Sequence, residues 1–230
     1  MTRPADPTVS VIMIARNGER FIAEALASIG LSQVAPLEII VLDGGSTDRT
    51  REIAATFPGV TIMPQQSTGI AGAYNEAIGA SRGALVAFLS SDDRWRPGKL
   101  DRHVELMQAS PVLASVSLVE HFLEGDMPAN FRADLIGRPV PGFLMEALVA
   151  RRAIFDRVGP FDPSFATAED TDWYARARDL GIEIAVIPEV LVDKRVHDTN
   201  TSLNDPVGDH HRLRAMRAAI ARKRSTRGQA

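Results

Sequence analysis

The chain has 230 residues, of which 45% are hydrophobic, and it carries a net charge of −3 and no cysteine. This apolar content suffices for a normal buried core, and no apolar run approaches the roughly 18 to 20 residues of a membrane-spanning helix. Disulfides, thiolate ligands and cysteine nucleophiles are excluded, so a metal would be held by oxygen or imidazole, which favours magnesium or manganese over structural zinc. Residues 1–7 lack the apolar core of a signal peptide, so we expect a globular cytoplasmic protein.

Charge is distributed unevenly along the chain. Residues 206–230 carry seven Arg or Lys side chains against one acid, Asp209, which leaves 19 basic and 28 acidic residues in the remainder. An acidic body is a poor match for nucleic acid, because that binding depends on neutralising phosphates. We therefore expect no nucleic-acid partner.

The first half of the chain alternates between two patterns. Short apolar runs rich in Val and Ile predict buried strands at 9–14, 37–42, 60–63 and 85–89. Helical patterns lie between them at 19–29, 48–57 and 70–81. This alternation predicts a parallel sheet with crossover helices.

The second half is less regular. A helix is predicted from Pro97 to about residue 109, then a strand at 113–119. Glycine and proline are frequent in 124–142, which predicts a loop or lid over a site. Further on, the patterns predict an apolar segment at 143–149, helices at 151–158 and 170–180, and strands at 184–187 and 190–192.

Asp43 follows the second predicted strand, at the edge where open parallel sheets bind ligands. Gly44 and Gly45 come next and would let a ligand approach the backbone. The alternative is a simple strand-to-helix turn, in which Asp43 is only a turn residue. Taken alone, the sequence supports both interpretations equally.

Asp92 and Asp93 follow the fourth predicted strand as adjacent carboxylates, which repel each other unless a cation lies beside them. A divalent metal resolves this conflict, since magnesium binds through one or two carboxylates with diphosphate oxygens and water. The alternative is an acidic helix N-terminus ahead of Pro97. We favour the metal.

Glu169 and Asp170 open a predicted helix, so one carboxylate could cap the helix while the other points into a cleft. Such a carboxylate could accept the proton of an acceptor hydroxyl that attacks a sugar's anomeric carbon. Helix capping alone explains this pair equally well. His197 follows the last strand and could ligate a metal or meet a leaving diphosphate, although a lone loop histidine usually does neither.

Taken together, seven segments in order resemble the family 2 glycosyltransferases, the inverting group with a GT-A fold. The segments are 9–19, 38–48, 69–75, 81–95, 158–162, 169–173 and 195–202, and the likeness covers about residues 8–203. It implies an α/β fold with a mostly parallel, Rossmann-like sheet flanked by helices, a smaller acceptor-side portion and a C-terminal helix. Residues 1–110 would form the nucleotide-sugar-binding half, 111–205 the acceptor-binding and catalytic half of the same domain, and 206–230 a basic tail.

The resemblance also implies roles for matching residues. Asp170 would be the catalytic base, supported or replaced by Glu169, while Asp93 and His197 would bind Mn²⁺ or Mg²⁺ and Trp173 would border the acceptor. The expected nucleotide-binding residues are Ala15, Asn17, Glu19, Asp43, Gly69, Asn75 and Asp92. The implied reaction is metal-dependent, inverting transfer from a nucleotide-diphosphate sugar, with a UDP-sugar as the expected donor, in cell-surface glycan or glycolipid synthesis. The acceptor would be a glycan, a lipid-linked molecule or a small molecule.

The chain departs from the commonest family pattern at three positions. Gly44 and Ser90 stand where Asp is frequent, and Arg16 stands where an aromatic residue is frequent. The loss of a carboxylate at Ser90 would make metal affinity modest. Two alternatives therefore stay open, a nucleotide-sugar-binding protein without turnover and a sugar nucleotidyltransferase. The nucleotidyltransferase is disfavoured because the chain starts without a glycine-rich, basic loop for a triphosphate.

The tail carries an apolar stripe among arginines, formed by Leu213, Met216 and Ile220. We interpret it as a helix that packs on the domain or on a partner subunit, as in a homodimer. A peripheral contact with anionic lipid at the inner membrane face is the alternative, and it would suit a lipid-linked acceptor.

Overall fold

The computed structural model of the chain describes residues 7–129, 131–165, 167–200 and 208–227. One mixed sheet of nine strands runs through both predicted halves, with helices packed on it. The strands are β1 (Val9–Ala15), β2 (Glu38–Asp43), β3 (Val60–Pro64), β4 (Leu85–Phe88), β5 (Arg94–Trp95), β6 (Ala114–Leu123), β7 (Val140–Pro141), β8 (Leu148–Arg151) and β9 (Ile184–Val196). The helices are α1 (Ile22–Ile29), α2 (Thr50–Ala54), α3 (Gly69–Ala80), α4 (Lys99–Ala109), α5 (Ala153–Val158), α6 (Glu169–Asp179) and α7 (Gly208–Arg227).

The first half of the sheet confirms the predicted parallel arrangement. Strands β3, β2, β1 and β4 lie side by side in this order, and each neighbouring pair is parallel. Nearly every side chain of β1, β2 and β4 is buried, because helices cover both faces of a parallel sheet. The carboxyl ends of these strands consequently meet at one edge, where the acidic segments begin.

The second half extends the sheet with mixed pairing, in the order β4, β8, β6, β9 and β5. The prediction of two short strands at 184–187 and 190–192 is wrong, since β9 is continuous over 13 residues. Pro188 cannot donate a ladder hydrogen bond, but the register steps from Ile187 to Val190 along β6. This bulge accommodates the proline and lets the strand continue to the site.

Two predicted helices start later than expected. Helix α1 begins at Ile22 rather than residue 19, and α2 covers only Thr50–Ala54. The reason is local, because the Asp48 carboxylate accepts backbone N–H groups of Glu19 and Thr50 at 3.0 Å each and so holds a turn ahead of both helices. The predicted loop at 124–142 carries a 3-10 turn at Ala133–Leu135 and the short strand β7.

Helix α7 packs against α6 through its small residues. Ala215 lies in a buried cluster with Phe165 and Ala168, and Arg222 forms ion pairs with Asp172 and Asp179. Leu213, Met216 and Ile220 stay exposed on the other side of the helix, so their contact with a membrane or a second copy stays a prediction. In the part of the chain described above, no helix combines the length and apolar character needed to cross a membrane.

Candidate active site

The carboxyl ends of the parallel strands open into a cavity of about 750 Å³, called here the main cavity. Its wall comes from the turns after β1, β2 and β4, the start of α3, the segment before β8, the start of α6 and the end of β9. A cavity of this size lies within the range of small-molecule sites. The predicted site residues that line it are Ala15, Asn17, Gly69, Asp92, Glu169, Asp170 and His197.

The turns after β1 and β2 are tied to each other at the mouth of the main cavity. Asn17 has a left-handed backbone with φ of 51°, donates its N–H to Ser46 Oγ at 2.9 Å and accepts the N–H of Thr47 at 2.9 Å. Asp43 is buried and accepts the N–H of Ser46 at 3.2 Å. Asp43 and the exposed Glu19 do not line the cavity, and Glu19 accepts the Arg49 N–H at 3.0 Å. Their contact with a nucleotide stays a prediction.

Asn75 and Trp173 also lie away from the cavity lining. The Asn75 amide donates to the Phe161 carbonyl at 2.9 Å and accepts the Phe161 N–H at 2.8 Å. Trp173 is fully buried, stacks on Phe161 and donates its indole N–H to the Gly159 carbonyl at 3.3 Å. This geometry argues against the acceptor contact predicted for Trp173, because its indole is enclosed by core residues. Trp173 instead fixes helix α6, which carries Asp170.

Asp92 is the carboxylate of the adjacent pair that reaches the main cavity. Its Oδ2 lies 3.1 Å from His197 Nε2 and accepts the Asn200 amide at 3.1 Å. Burial alone would raise the pKa of Asp92, but the hydrogen bond from His197 and the charge of Lys194 hold it below the usual range. Asp92 is therefore ionised at neutral pH.

Asp93 lies behind the cavity wall and is fully buried. Its Oδ1 accepts the Arg195 backbone N–H at 2.8 Å, and its Oδ2 accepts Lys194 Nζ at 2.7 Å. The geometry argues against the predicted role of Asp93 as a metal ligand, because both oxygens are engaged by the protein. Asp92 and Asp93 lie in the turn between β4 and β5, where Asp92 faces the cavity and Asp93 faces the protein interior.

Glu146 and Lys194 line the main cavity and are not among the site residues predicted from the sequence. Lys194 Nζ lies 3.3 Å from Glu146 Oε1, and Ser90 Oγ donates to the same Glu146 oxygen. Burial lowers the pKa of Lys194, but attraction from Asp93, Glu146 and Asp92 outweighs it and holds the pKa well above its ordinary value. The available signals were an acid inside the apolar segment 143–149 and a lysine in the last strand.

Glu169 and Asp170 sit at the first turn of α6 and differ in protonation. Burial and repulsion from Asp170 raise the pKa of Glu169 to about 8. Burial and repulsion from Glu146 raise the pKa of Asp170 to about 6. These shifts favour a protonated Glu169 beside an ionised Asp170 near neutral pH, the state that a general base requires.

A second cavity of about 270 Å³, called here the side pocket, shares Asp170 and Lys194 with the main cavity. Its other walls include His121 of β6 and Phe131 of the predicted lid segment, whose rings lie 5.5 Å apart. Asp170 thus stands on the wall between a large and a small compartment. Two reactants held in them would meet at its carboxylate.

The sequence model of glycosyl transferase family 2 matches residues 10–161, about two thirds of the chain. The chain belongs to this family. The expected family 2 resemblance is confirmed, and the transferase assignment is preferred over the binding-only and nucleotidyltransferase alternatives.

Similar proteins agree with this membership. The succinoglycan biosynthesis protein ExoU of Rhizobium meliloti is 28% identical over 213 residues, which cover 81% of this chain and 61% of ExoU. Staphylococcus aureus TarS residues 1–349, solved with UDP-GlcNAc, superposes with a TM-score of 0.72 at 18% identity over 94% of this chain and 66% of that one. The mannosyltransferase PcManGT of Pyrobaculum calidifontis, solved with GDP-Man and Mn²⁺, gives 0.70 at 22% identity over 95% and 65%. These structures confirm the GT-A fold.

The chain spans 59 to 68% of the length of several curated relatives that it matches. What each relative or neighbour binds is a property of that protein. The donor, the acceptor and the metal of this chain are therefore matters for proposal.

The main cavity offers two protein side chains to a divalent metal, and substrate oxygens and water would complete its coordination. Within the described ranges, no three His, Asp or Glu side chains converge as a metal-binding group. Asp92 and His197 line the cavity side by side and are hydrogen-bonded to each other, so a metal would have to replace the hydrogen bond between Asp92 Oδ2 and His197 Nε2. A carboxylate and an imidazole suit Mn²⁺ or Mg²⁺ when substrate phosphates and water complete the coordination. The fit is to a metal that arrives with a diphosphate rather than to a preformed protein cage.

Proposed function

We propose that this glycosyltransferase moves a sugar from a nucleotide-diphosphate sugar, with UDP-sugars the first candidates, to an acceptor hydroxyl with inversion at the anomeric carbon. The observation that carries the proposal is the position of Asp170 on the wall shared by the main cavity and the side pocket. Inversion by single displacement needs a base on the acceptor side and a stabilised leaving group on the donor side. The two compartments supply these places.

The donor would occupy the main cavity. Its nucleoside would lie near Ala15, Asn17 and Gly69, held by the turns that Asp43 shapes, and its diphosphate would lie near Asp92 and His197. Asp92 and His197 would also hold the divalent metal, which when bound supplies positive charge to the departing diphosphate. TarS and PcManGT, solved with UDP-GlcNAc and GDP-Man, support a nucleotide-sugar donor by fold alone.

The acceptor would enter the side pocket. Its hydroxyl would donate its proton to the Asp170 carboxylate as its oxygen attacks the anomeric carbon, while the protonated Glu169 leaves Asp170 as the ionised acid of the pair. The resemblance to ExoU supports a saccharide acceptor in cell-surface glycan synthesis. A lipid-linked saccharide would suit a peripheral membrane contact through the exposed residues Leu213, Met216 and Ile220 of α7.

The decisive test replaces Asp170→Asn, which keeps the size of the side chain and removes the base. We expect transfer to fall by about 10² to 10⁴-fold, the usual contribution of a positioned general base. Nucleotide diphosphate binding, measured by calorimetry with Mn²⁺ over UDP, GDP and TDP, should stay near the wild-type value. Glu169→Gln is the matched control and should keep most transfer at pH 7.

Two outcomes would contradict the proposal. Transfer retained in Asp170→Asn would remove Asp170 as the base. Donor binding by the wild-type chain without transfer or hydrolysis, across UDP-, GDP- and TDP-sugars with Mn²⁺, would indicate a nucleotide-sugar-binding protein.

A further inference from the structure

A lysine ammonium stands among the carboxylates at the floor of the main cavity. Lys194 Nζ lies 2.7 Å from Asp93 Oδ2 and 3.3 Å from Glu146 Oε1. Its side chain is 21% exposed, and it lines both the main cavity and the side pocket. Because strand β9 presents it and Asp93 lies behind it, the ammonium is held in place from the protein side.

The ammonium retains hydrogen-bonding capacity. An ammonium group carries three N–H donors, and two of them are taken by Asp93 and Glu146. Among the residues that the structure describes, no third acceptor is recorded for Nζ. A ligand oxygen in either cavity could take the remaining donor.

The carboxylates on the cavity wall favour a fixed cation beside an anionic ligand. The acids on the wall of the main cavity are Asp92, Glu146, Glu169 and Asp170. A diphosphate would meet repulsion from the ionised members of this group. The other basic residues of the wall, Arg16 and Arg20, lie at the turn after β1, where Arg20 pairs with Glu124 and Asp198. Lys194 is therefore the cation placed next to the carboxylates.

We propose that Lys194 is a built-in cation that binds the donor diphosphate, so that part of the nucleotide diphosphate affinity persists without a divalent metal. The proposal rests on the proposed function and adds a residue and a property to it. Asp93 and Glu146 are positioning residues for the ammonium, and Ser90 orients Glu146 by donating to its carboxylate. A hydrogen bond from an ammonium to a phosphate oxygen is of the stronger, charge-assisted kind.

The test compares nucleotide diphosphate binding in excess EDTA with binding in Mn²⁺, by calorimetry with UDP, GDP and TDP. We expect the wild type to retain measurable binding in EDTA. Lys194→Met should weaken that metal-free binding by about tenfold or more, as expected for the loss of one hydrogen bond to a charged group. The ratio of affinities with and without Mn²⁺ should therefore rise.

Two further variants guard against misfolding and against a general charge effect. The double variant Asp93→Asn with Lys194→Met removes both charges of the buried pair, and the Asn oxygen can still accept the Arg195 N–H. This double variant should lose metal-free nucleotide diphosphate binding to the same extent as Lys194→Met. Arg96→Met removes a cation that lies between Asp193 and Glu120 outside the cavity lining. It should bind as the wild type does. Circular dichroism melts would confirm that each variant is folded.

The outcomes separate this inference from the proposed function. Unchanged metal-free binding in both Lys194 variants, or wild-type binding that vanishes completely in EDTA but is present with Mn²⁺, would overturn the role of Lys194 and leave the glycosyl transfer intact. Absence of binding to every nucleotide diphosphate, with and without Mn²⁺, would overturn the proposed donor site and the role of Lys194 with it.

Discussion

Two clusters of buried ionisable groups contact Trp95 and behave differently. The first consists of the carboxylates around Lys194, and the Trp95 indole N–H donates to the Glu146 backbone carbonyl at 3.2 Å. In the second, Lys99 Nζ lies 4.5 Å from the centre of the Trp95 ring. His103, one turn along α4, bonds Ser115 Oγ at 2.7 Å through Nδ1. Both clusters consist of ionisable side chains removed from water.

The difference between them is a direct ion pair and an adjoining cavity, which only the first cluster has among the described residues. The first, called here the acidic cluster, consists of Asp92, Asp93, Glu146, Asp170 and Lys194; its ammonium is paired, and it opens into the main cavity. The second, called here the basic cluster, consists of Lys99 and His103. In the basic cluster, Lys99 Nζ and His103 Nε2 have no hydrogen-bond partner among the described residues. Burial lowers the pKa of Lys99 to about 7 and the pKa of His103 well below its ordinary value. Burial of ionisable groups therefore does not by itself mark a site, whereas compensated charge beside a cavity does.

The largest expected effect comes from breaking the compensated pair. Asp93→Ala should lower the free energy of unfolding by about 3 kcal/mol, because it leaves the Lys194 ammonium and the Arg195 N–H short of a partner in a buried place. Urea denaturation measures this. Asp93→Asn is the control and should cost less, since its amide oxygen can still accept the Arg195 N–H. Equal losses in the two variants would mean that packing rather than hydrogen bonding dominates at Asp93.

The pH dependence of transfer tests the charge state of the acidic cluster. Asp170 has a pKa raised to about 6, and the proton that it binds below this pH removes the base. We expect kcat/KM to be nearly constant above pH 7 and to fall about tenfold per pH unit well below pH 6. A profile that stays flat down to pH 4.5 would contradict the assignment. The measurement needs only the wild-type chain with a sugar donor and an acceptor that it uses.

For the basic cluster we expect the opposite change in stability, because removing its charge should stabilise the fold. Lys99→Met should raise the free energy of unfolding by about 2 kcal/mol at pH 6, because an unpaired buried ammonium is replaced by an apolar chain of similar length. The folded pKa of about 7 lies below the ordinary 10.5, so the penalty is full below pH 7 and is lost as the pH approaches 10.5. The gain should shrink accordingly in alkaline buffer.

Arg102→Met is the matched control for Lys99→Met. Arg102 lies on the same helix, is exposed, and pairs with Glu105 and Glu189 at the surface. Its loss should change stability little. A destabilised Lys99→Met variant would show that the ring contact with Trp95 outweighs the desolvation of the ammonium.

The sequence predicts the acidic cluster only where the backbone pattern determines it. The end of an apolar run predicts Asp92 at the end of β4, and the start of a helical pattern predicts Asp170 at the beginning of α6. Glu146 and Lys194 join them through the pairing of β6 with β8 and β9. The local hydrophobic pattern of the sequence does not predict which distant strands pair, because that depends on how the whole chain packs. The inward turn of Asp93 and the burial of Trp173 depend in the same way on their neighbours in the fold.

Glu169 resembles Lys99 because it is a buried ionisable group with a polar atom that lacks a hydrogen-bond partner among the described residues. We expect its replacement to have the smallest effect on stability. Its Oε2 has no hydrogen-bond partner within the described residues, and its pKa is raised to about 8. A raised carboxyl pKa costs stability once the unfolded chain ionises, so the penalty is absent below about pH 4.5 and full above pH 8. Glu169→Gln should therefore raise the free energy of unfolding by about 1 kcal/mol at pH 8.5 and by nothing at pH 4.5. Lys99→Met and Glu169→Gln would then stabilise the same protein with opposite dependences on pH, and parallel dependences would refute the assigned charge states of both clusters.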